Sequence, residues 1–189
     1  MVGVAMTTLT AATLSGTYAL DPGHSSIGFV ARHAMITKVR GTFGEVRGTI
    51  VVDAEEPSRS TAQVTIDAAS VDTHNTTRDA HLRSGDFFDT EHHPEIVFAS
   101  TAIEQVGDHR YRLTGDLTIR GTTNPVTIAV EHTGAATDPS GHERIGFEGT
   151  ATVNRRDWGL TWNAALEAGG VLVGDTVTLV LDVAAIRRR

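Results

Sequence analysis

The sequence of 189 residues contains no cysteine and a single lysine, Lys38. Without cysteine, disulfides, thiolate metal sites and cysteine nucleophiles are excluded. The 23 acidic residues outnumber the 16 basic ones, so the formal net charge is −7. Neutralising nucleic-acid phosphates requires a basic surface instead. We therefore expect no nucleic-acid partner and no chemistry that depends on a thiol.

Long hydrophobic runs are missing as well, and none approaches the ~20 apolar residues of a transmembrane helix. The first ten residues contain no basic residue and only a short, interrupted apolar run, which is not typical of an export signal. We expect a cytoplasmic protein. Residues 1–15 are predicted to form a flexible tail, and residues 16–189 a single domain.

Short runs of alternating apolar and polar residues fill most of the chain after Tyr18. In residues 26–33, for example, Ile27, Phe29 and Ala31 share one face at a period of two, which predicts a strand with one buried side. Further strands are predicted at 41–53, 61–66, 95–101, 111–120, 126–132, 145–154 and 176–184. About eight strands joined by turns predict an antiparallel sandwich or a closed barrel.

Residues 74–88 are the exception to this pattern. Thr76 and Asp79 have the spacing of a helix capping box, Asp79 and Arg83 stand four residues apart, and Gly85 follows as a stop signal. This spacing predicts a helix of about two turns, with Asp79 paired to Arg83 on its surface.

Nine histidines raise the question of a metal site. The spacing is unfavourable, since no His-Glu-x-x-His motif is present, but His24, His33 and His81 remain a candidate group. A Gly-x-Ser-x-Gly nucleophile elbow and a phosphate-binding glycine loop are both absent from the sequence.

Seven short motifs occur in a fixed order between about Tyr18 and Val183. They are found in residues 21–33, 39–43, 70–73, 78–89, 94–101, 115–121 and 155–160. They include Asp21-Pro-Gly-His24, Arg78-Asp-Ala-His81-Leu82 and Asp86-Phe-Phe88-Asp. In content and order they resemble the YceI-like family of bacterial polyisoprenoid-binding proteins.

The resemblance implies an all-β, lipocalin-like barrel of eight antiparallel strands with a short helix in one connection. It also implies an interior tunnel that holds an amphiphile with a polyprenyl or fatty tail, such as an isoprenoid quinone. Neither a cofactor nor a metal is required. Many relatives carry a signal peptide, which is not visible here. Residues 78–89 would then be a helical corner of the barrel rather than an active site.

The same resemblance, combined with the period-two faces, suggests the residues that contact the lipid. The predicted polar contacts of the head group are His24, Ser25, His33, Arg78 and His81. The predicted apolar wall of the tunnel consists of Ile27, Phe29, Ala31, Leu82, Phe87, Phe88, Phe98, Leu117 and Trp158.

The leading hypothesis is therefore a non-enzymatic protein that binds, sequesters or transports a long-chain lipid. Its expected partners are the lipid, a membrane contacted transiently for loading, and a second copy of the chain in a homodimer. The alternative is a metal-assisted enzyme that uses His24, His33 and His81. A third hypothesis is a structural or stress-associated module whose tunnel is incidental.

Overall fold

The computed structural model describes residues 11–189, so residues 1–10 of the predicted flexible tail lie outside the described part of the chain. Two α-helices, α1 (Ala11–Leu14) and α2 (Thr76–Arg83), accompany the strands. No helix within residues 11–189 has the length and apolarity needed to cross a membrane. The strands are β1 (Gly16–Leu20), β2 (Ser26–His33), β3 (Thr37–Phe43), β4 (Val46–Val52), β5 (Thr61–Asp67), β6 (Val71–Asp72), β7 (Glu95–Gly107), β8 (Arg110–Ile119), β9 (Thr122–Thr137), β10 (Glu143–Asn154) and β11 (Val173–Arg187).

Six of these strands form three longer strands that are each broken once: β1 with β2, β3 with β4, and β5 with β6. β3 pairs with β2 and β6 while β4 pairs with β1 and β5, so both halves of the middle broken strand run along the same two neighbours. Each long strand pairs antiparallel with the next, and β11 pairs with β1 and β2 to close the ring. The predicted eight-stranded antiparallel barrel is confirmed.

The prediction of one continuous strand over residues 41–53 is wrong, because the chain bends between β3 and β4. At the bend, the backbone N–H of Gly44 donates to the carbonyl oxygen of Ser70 at 3.1 Å. The N–H of Glu45 donates to the Ser70 hydroxyl, also at 3.1 Å. Ser70 therefore satisfies backbone donors that a continuous ladder would have used.

Two inward phenylalanines lie against glycines of the neighbouring strand. A Cβ atom on Gly41 would collide with the ring of Phe29, and one on Gly115 would collide with the ring of Phe98. Because these glycines have no side chain, the rings can approach the backbone of the wall closely. This arrangement leaves the middle of the barrel open.

Helix α2 is present in the connection between β6 and β7, as predicted, but its polar contacts differ from those predicted. Its cap is Asn75, whose side chain accepts from the N–H of Arg78 at 2.9 Å. Asp79 is buried and accepts from the N–H of Thr73 at 2.9 Å and from its hydroxyl. Arg83 donates to the carbonyl oxygens of Ala69 and Val71. The predicted Asp79–Arg83 pair is wrong, because each side chain instead satisfies polar groups of the segment before the helix.

The closing seam of the barrel lies along one edge of β11. Residues 173–182 of β11 pair with β2, and residues 185–187 pair with β1. Between these two stretches, the N–H of Ala184 donates to the hydroxyl of Ser25 at 3.0 Å, and that hydroxyl donates back to the Ala184 carbonyl at 3.1 Å. The N–H of Asp21 donates to the same carbonyl at 2.8 Å. Ser25 thus replaces a strand backbone where β1 and β2 are interrupted.

Replacing Ser25 with alanine should therefore lower the free energy of unfolding by about 1–3 kcal/mol, because the N–H of Ala184 would lose its partner. Ser26→Ala is the matched control, since Ser26 is exposed on the neighbouring position. Urea unfolding followed by circular dichroism measures both variants. Equal stability of the two variants would contradict a role for the Ser25 hydroxyl in the seam.

Candidate functional site

The interior of the barrel contains a cavity of about 850 Å³. This volume falls within the range of small-molecule binding sites. The cavity wall is mostly aliphatic and aromatic, and it extends from Arg155 and Leu160 at one end of the barrel to Asp108 and His109 at the other. The barrel therefore offers a long apolar space that its own side chains do not fill.

The two ends of the barrel differ in the connections they carry. We call the end with α2, the β2–β3 hairpin, the β8–β9 turn and the β10–β11 connection the helix end. The opposite end carries the β4–β5, β7–β8 and β9–β10 connections and is called the turn end.

Aromatic side chains crowd the helix end of the cavity. The ring centroids of Phe29 and Phe43 are 5.9 Å apart, and those of Phe43 and Phe88 are 5.8 Å apart. Phe87 lies 5.5 Å from Trp162, which belongs to the connection between β10 and β11. These rings bring α2 and that connection together over one end of the cavity.

The structure brings the predicted apolar wall together. All nine residues line the cavity: Ile27, Phe29, Ala31, Leu82, Phe87, Phe88, Phe98, Leu117 and Trp158. Trp158 is 3% exposed, and its indole N–H donates to the carbonyl oxygen of Leu117 at 2.8 Å. Contact between these residues and a ligand stays a prediction.

The predicted polar contacts lie elsewhere: none of His24, Ser25, His33, Arg78 and His81 is among the described residues that line the cavity. His24 pairs with Asp21 at the surface, at 2.8 Å, and His33 is exposed at the end of β2. Ser25 belongs to the closing seam. The structure thus gives Ser25 a structural partner and leaves the two histidines at the surface.

Arg78 and His81 hold the helical corner together. The guanidinium of Arg78 donates to the hydroxyl and to the carbonyl oxygen of Thr73, at 2.7 and 2.8 Å. His81 Nε2 is 2.8 Å from a carboxylate oxygen of Asp86, and its ring meets the edge of Trp162 with 4.5 Å between centroids. Their polar atoms are engaged by the protein, as residues of a structural corner are expected to be.

The histidine group of the alternative hypothesis is not assembled. Within residues 11–189, no three His, Asp or Glu side chains are arranged so that they could hold a metal ion, and this includes His24, His33 and His81. Two of the three face different carboxylates, Asp21 and Asp86.

Arg155 is a residue of the cavity wall that the sequence reasoning missed. Its buried guanidinium donates to the carbonyl oxygens of Leu160, Trp162, Val173 and Gly174. Burial lowers the pKa of Arg155 from its ordinary value, while the nearby Asp175 acts in the opposite direction. These bonds hold the connection between β10 and β11 against the barrel, so the guanidinium is not a free partner for an anionic ligand.

Polar residues on the cavity wall gather at the turn end, and the sequence reasoning missed them too. They are Asp53, Ser60, Gln105, Asp108, His109, His132 and Thr133. The sequence did indicate one of them: His132 follows Val126, Ile128 and Val130 at a period of two on β9, which predicts that it shares their inner face.

His132 has an unusual environment for a histidine. Its Nε2 atom is buried and has no hydrogen-bond partner. Its ring lies between those of His109 and Phe147, with centroids 5.7 and 5.5 Å away. Burial lowers the pKa of His132; the charge on His109 acts in the same direction, and hydrogen bonding to the backbone of Gly134 opposes it. The ring is therefore neutral near pH 7.

Comparisons with known proteins agree with this architecture. The chain is 36% identical over 177 residues to a UPF0312 protein of Ectopseudomonas mendocina, which covers 93% of this chain and 90% of that protein. The crystal structure of Burkholderia cenocepacia BcnA superposes with a TM-score of 0.77 at 24% identity, covering 87% of this chain and 98% of that one. A polyisoprenoid binding domain from Saccharophagus degradans superposes with a TM-score of 0.65 at 17% identity, covering 90% and 98%.

The model of the YceI-like domain matches residues 18–185, which include every strand from β2 to β10 and most of β1 and β11. The match spans the same part of the chain as the seven motifs, and the relative from Ectopseudomonas mendocina extends over nearly the whole sequence. The chain belongs to the YceI-like family.

Proposed function

We propose that this protein is a non-enzymatic, cytoplasmic carrier that binds the tail of a polyisoprenoid or other long-chain lipid inside the barrel. The observation that carries the proposal is the apolar cavity of about 850 Å³, enclosed by the barrel and lined along its length by aliphatic and aromatic side chains. The described function of the Saccharophagus degradans domain, a polyisoprenoid binding domain, supports the same ligand class. The proposal needs no cofactor and no metal.

The size of the hydrophobic effect favours recognition of the tail. A chain of three isoprene units carries about fifteen apolar carbons, and at about 0.8 kcal/mol for each buried CH₂ the gross gain approaches ~12 kcal/mol. Ordering the chain and losing its free motion takes back a large share, about half. The remaining ~6 kcal/mol corresponds to a Kd of about 40 μM, and a longer tail would bind more tightly. One hydrogen bond to the head group contributes only about 1 kcal/mol.

Filling the cavity should therefore abolish binding. We expect Ala31→Trp to remove retention of a fluorescent polyprenyl probe, because Ala31 lines the cavity and the indole would occupy the space of the tail. Ala129→Trp is the matched control, since Ala129 is exposed on the outer face of β9. Both variants should keep the circular dichroism spectrum of a β protein. Unchanged affinity in a folded Ala31→Trp variant would contradict the proposed tail site.

Native mass spectrometry of the protein purified from its own cells distinguishes the three hypotheses. A retained lipid of several hundred daltons is expected for a carrier. Stoichiometric zinc or iron would support the metal-assisted enzyme instead. Protein that carries neither would support a module whose tunnel is incidental.

The β2–β3 hairpin at the helix end supports a membrane contact there. Its tip exposes two large apolar side chains, Met35 at 64% and Ile36 at 76%. Arg32 and Lys38 lie opposite each other in the register of β2 and β3, and both are exposed together with Arg40. An apolar tip beside three cations fits the surface of an anionic bilayer, in a protein whose net charge is otherwise −7.

Replacing both Met35 and Ile36 with serine should reduce binding to vesicles of phosphatidylcholine and phosphatidylglycerol at least about tenfold, because both side chains lose apolar area that the bilayer would cover. Val106→Ser is the control, since Val106 is an exposed apolar residue near the β7–β8 turn at the opposite end. Co-sedimentation at low and high salt measures the effect. Equal binding by the double variant and the parent would exclude the hairpin as the contact.

A further inference from the structure

Three residues that precede β1 are fixed to the turn end of the barrel through their backbone. The guanidinium of Arg187 donates to the carbonyl oxygen of Ser15 at 2.7 Å and also to that of Thr13. The Tyr18 hydroxyl donates to the carbonyl oxygen of Leu14 at 2.8 Å. Three successive carbonyl oxygens outside the strand ladders therefore have partners in the barrel. We call these three residues, from Thr13 to Ser15, the strap.

The side chains that hold the strap are themselves well fixed. Arg187 donates to the Tyr18 hydroxyl at 2.9 Å, and its guanidinium carbon lies 5.0 Å from the centroid of the Tyr18 ring, within the range of a cation–π contact. The N–H of Ala54, in the β4–β5 connection, donates to the Ser15 hydroxyl at 2.9 Å. The strap is thus bonded to β1, to β11 and to the β4–β5 connection.

Leu14 is the strap residue on the cavity wall. It is half-buried and lines the cavity together with Ala54 and Pro57 of the β4–β5 connection. On the inner face of β1, Leu20 also lines the cavity, whereas Tyr18, two residues nearer the turn end, does not. Beyond Leu20 on this side of the barrel, the strap therefore supplies an apolar part of the wall.

Another part of the wall at the turn end is polar. Gln105, Asp108 and His109 line the cavity and are exposed to solvent. A hydrocarbon chain that extended past the cavity there would lie beside polar side chains and water. It would bury little further apolar area, so it would gain little further affinity.

We propose that Leu14 limits the length of the lipid that the cavity accommodates. This inference rests on the proposed function and adds to it a residue that determines specificity for tail length. The four carbons of the Leu14 side chain occupy space that about one more isoprene unit of a bound tail would need. Leu14 and Arg187 both lie outside residues 18–185, so the limit is set by residues beyond the part that the family model matches.

A series of prenyl alcohols with tails of about ten to thirty carbons tests the limit. Affinity for the parent protein should rise about tenfold or more with each isoprene unit that is buried, and it should stop rising at the first unit that does not fit. In Leu14→Ala the stop should move to a longer tail, and in Leu14→Trp to a shorter one, because the side chain at this position is smaller or larger.

Leu166 offers matched controls for both variants. It is half-buried in the β10–β11 connection and is not among the described residues that line the cavity. Leu166→Ala and Leu166→Trp should keep the stop of the parent protein. Circular dichroism should show a β protein for all four variants. A general loss of packing would weaken the binding of every tail, whereas a change at the wall moves the stop.

A second readout locates the end of the tail directly. Because the sequence contains no cysteine, Leu14→Cys introduces a single thiol. Its reaction with a maleimide should slow when the longest fitting alcohol is bound and remain fast when the shortest one is bound. Val180→Cys is the control, since Val180 is exposed and does not line the cavity, and its rate should not depend on the alcohol.

The outcomes distinguish the length limit from the proposed function. Failure of every alcohol to bind the parent protein would overturn lipid binding itself. Three results would overturn the length limit while the tail site remained: a gain that continues through all tails, a stop that stays in place in Leu14→Ala, or equal thiol rates with short and long tails. A stop that moves in Leu14→Ala but not in Leu166→Ala supports both proposals.

Discussion

The barrel depends on β11, which has to close the ring against a neighbouring strand that is interrupted. Strands β1 and β2 leave a gap between Leu20 and Ser26, and the Ser25 hydroxyl and the backbone of Asp21 satisfy Ala184 of β11 across it. On the outside, Arg144 links Asp21 to Asp138 of the β9–β10 turn. A closed barrel has no exposed edge, and its strand number fixes its width. The cavity is a consequence of this closure.

Eight strands enclose only enough space for packed side chains or for one small ligand, so the inward residues decide which occurs. In this chain the rings of Phe29 and Phe98 lie close against Gly41 and Gly115, and Ala31 adds little volume. A dry apolar cavity forfeits the dispersion contacts that a filled core would have. A lipid tail in the cavity would restore these contacts, so binding would raise the stability of the barrel.

The periodicity of the sequence was sufficient for most of the strands and for the inner face of β2, because alternation fixes which residues point inward once one face is buried, but it did not show the bend between β3 and β4. The five polar residues predicted from the motifs do not line the cavity, and their contact with a head group stays a prediction. Arg78 and His81 belong to a highly recognisable motif, yet their polar atoms bond to Thr73 and Asp86 and stabilise the corner. His132 was overlooked because histidine is intermediate in how often it is buried, so its place at the end of an apolar alternation did not decide its environment. Its period-two spacing from Val130 indicated the inner face of β9, and the closed barrel shows that this face lines the cavity.

The proposed membrane contact and the aromatic side chains of the cavity lie at the same end of the barrel, the helix end. If the helix end faces the bilayer through Met35 and Ile36, a lipid that leaves the membrane enters head first, and its tail stays in apolar surroundings throughout. The head group must then cross the apolar length of the cavity. Moving a charged group through such a space is prohibitively unfavourable, whereas a hydroxyl or amide costs a few kcal/mol at most on the octanol and protein scales. The apolar wall therefore favours an uncharged head group for any lipid that enters head first.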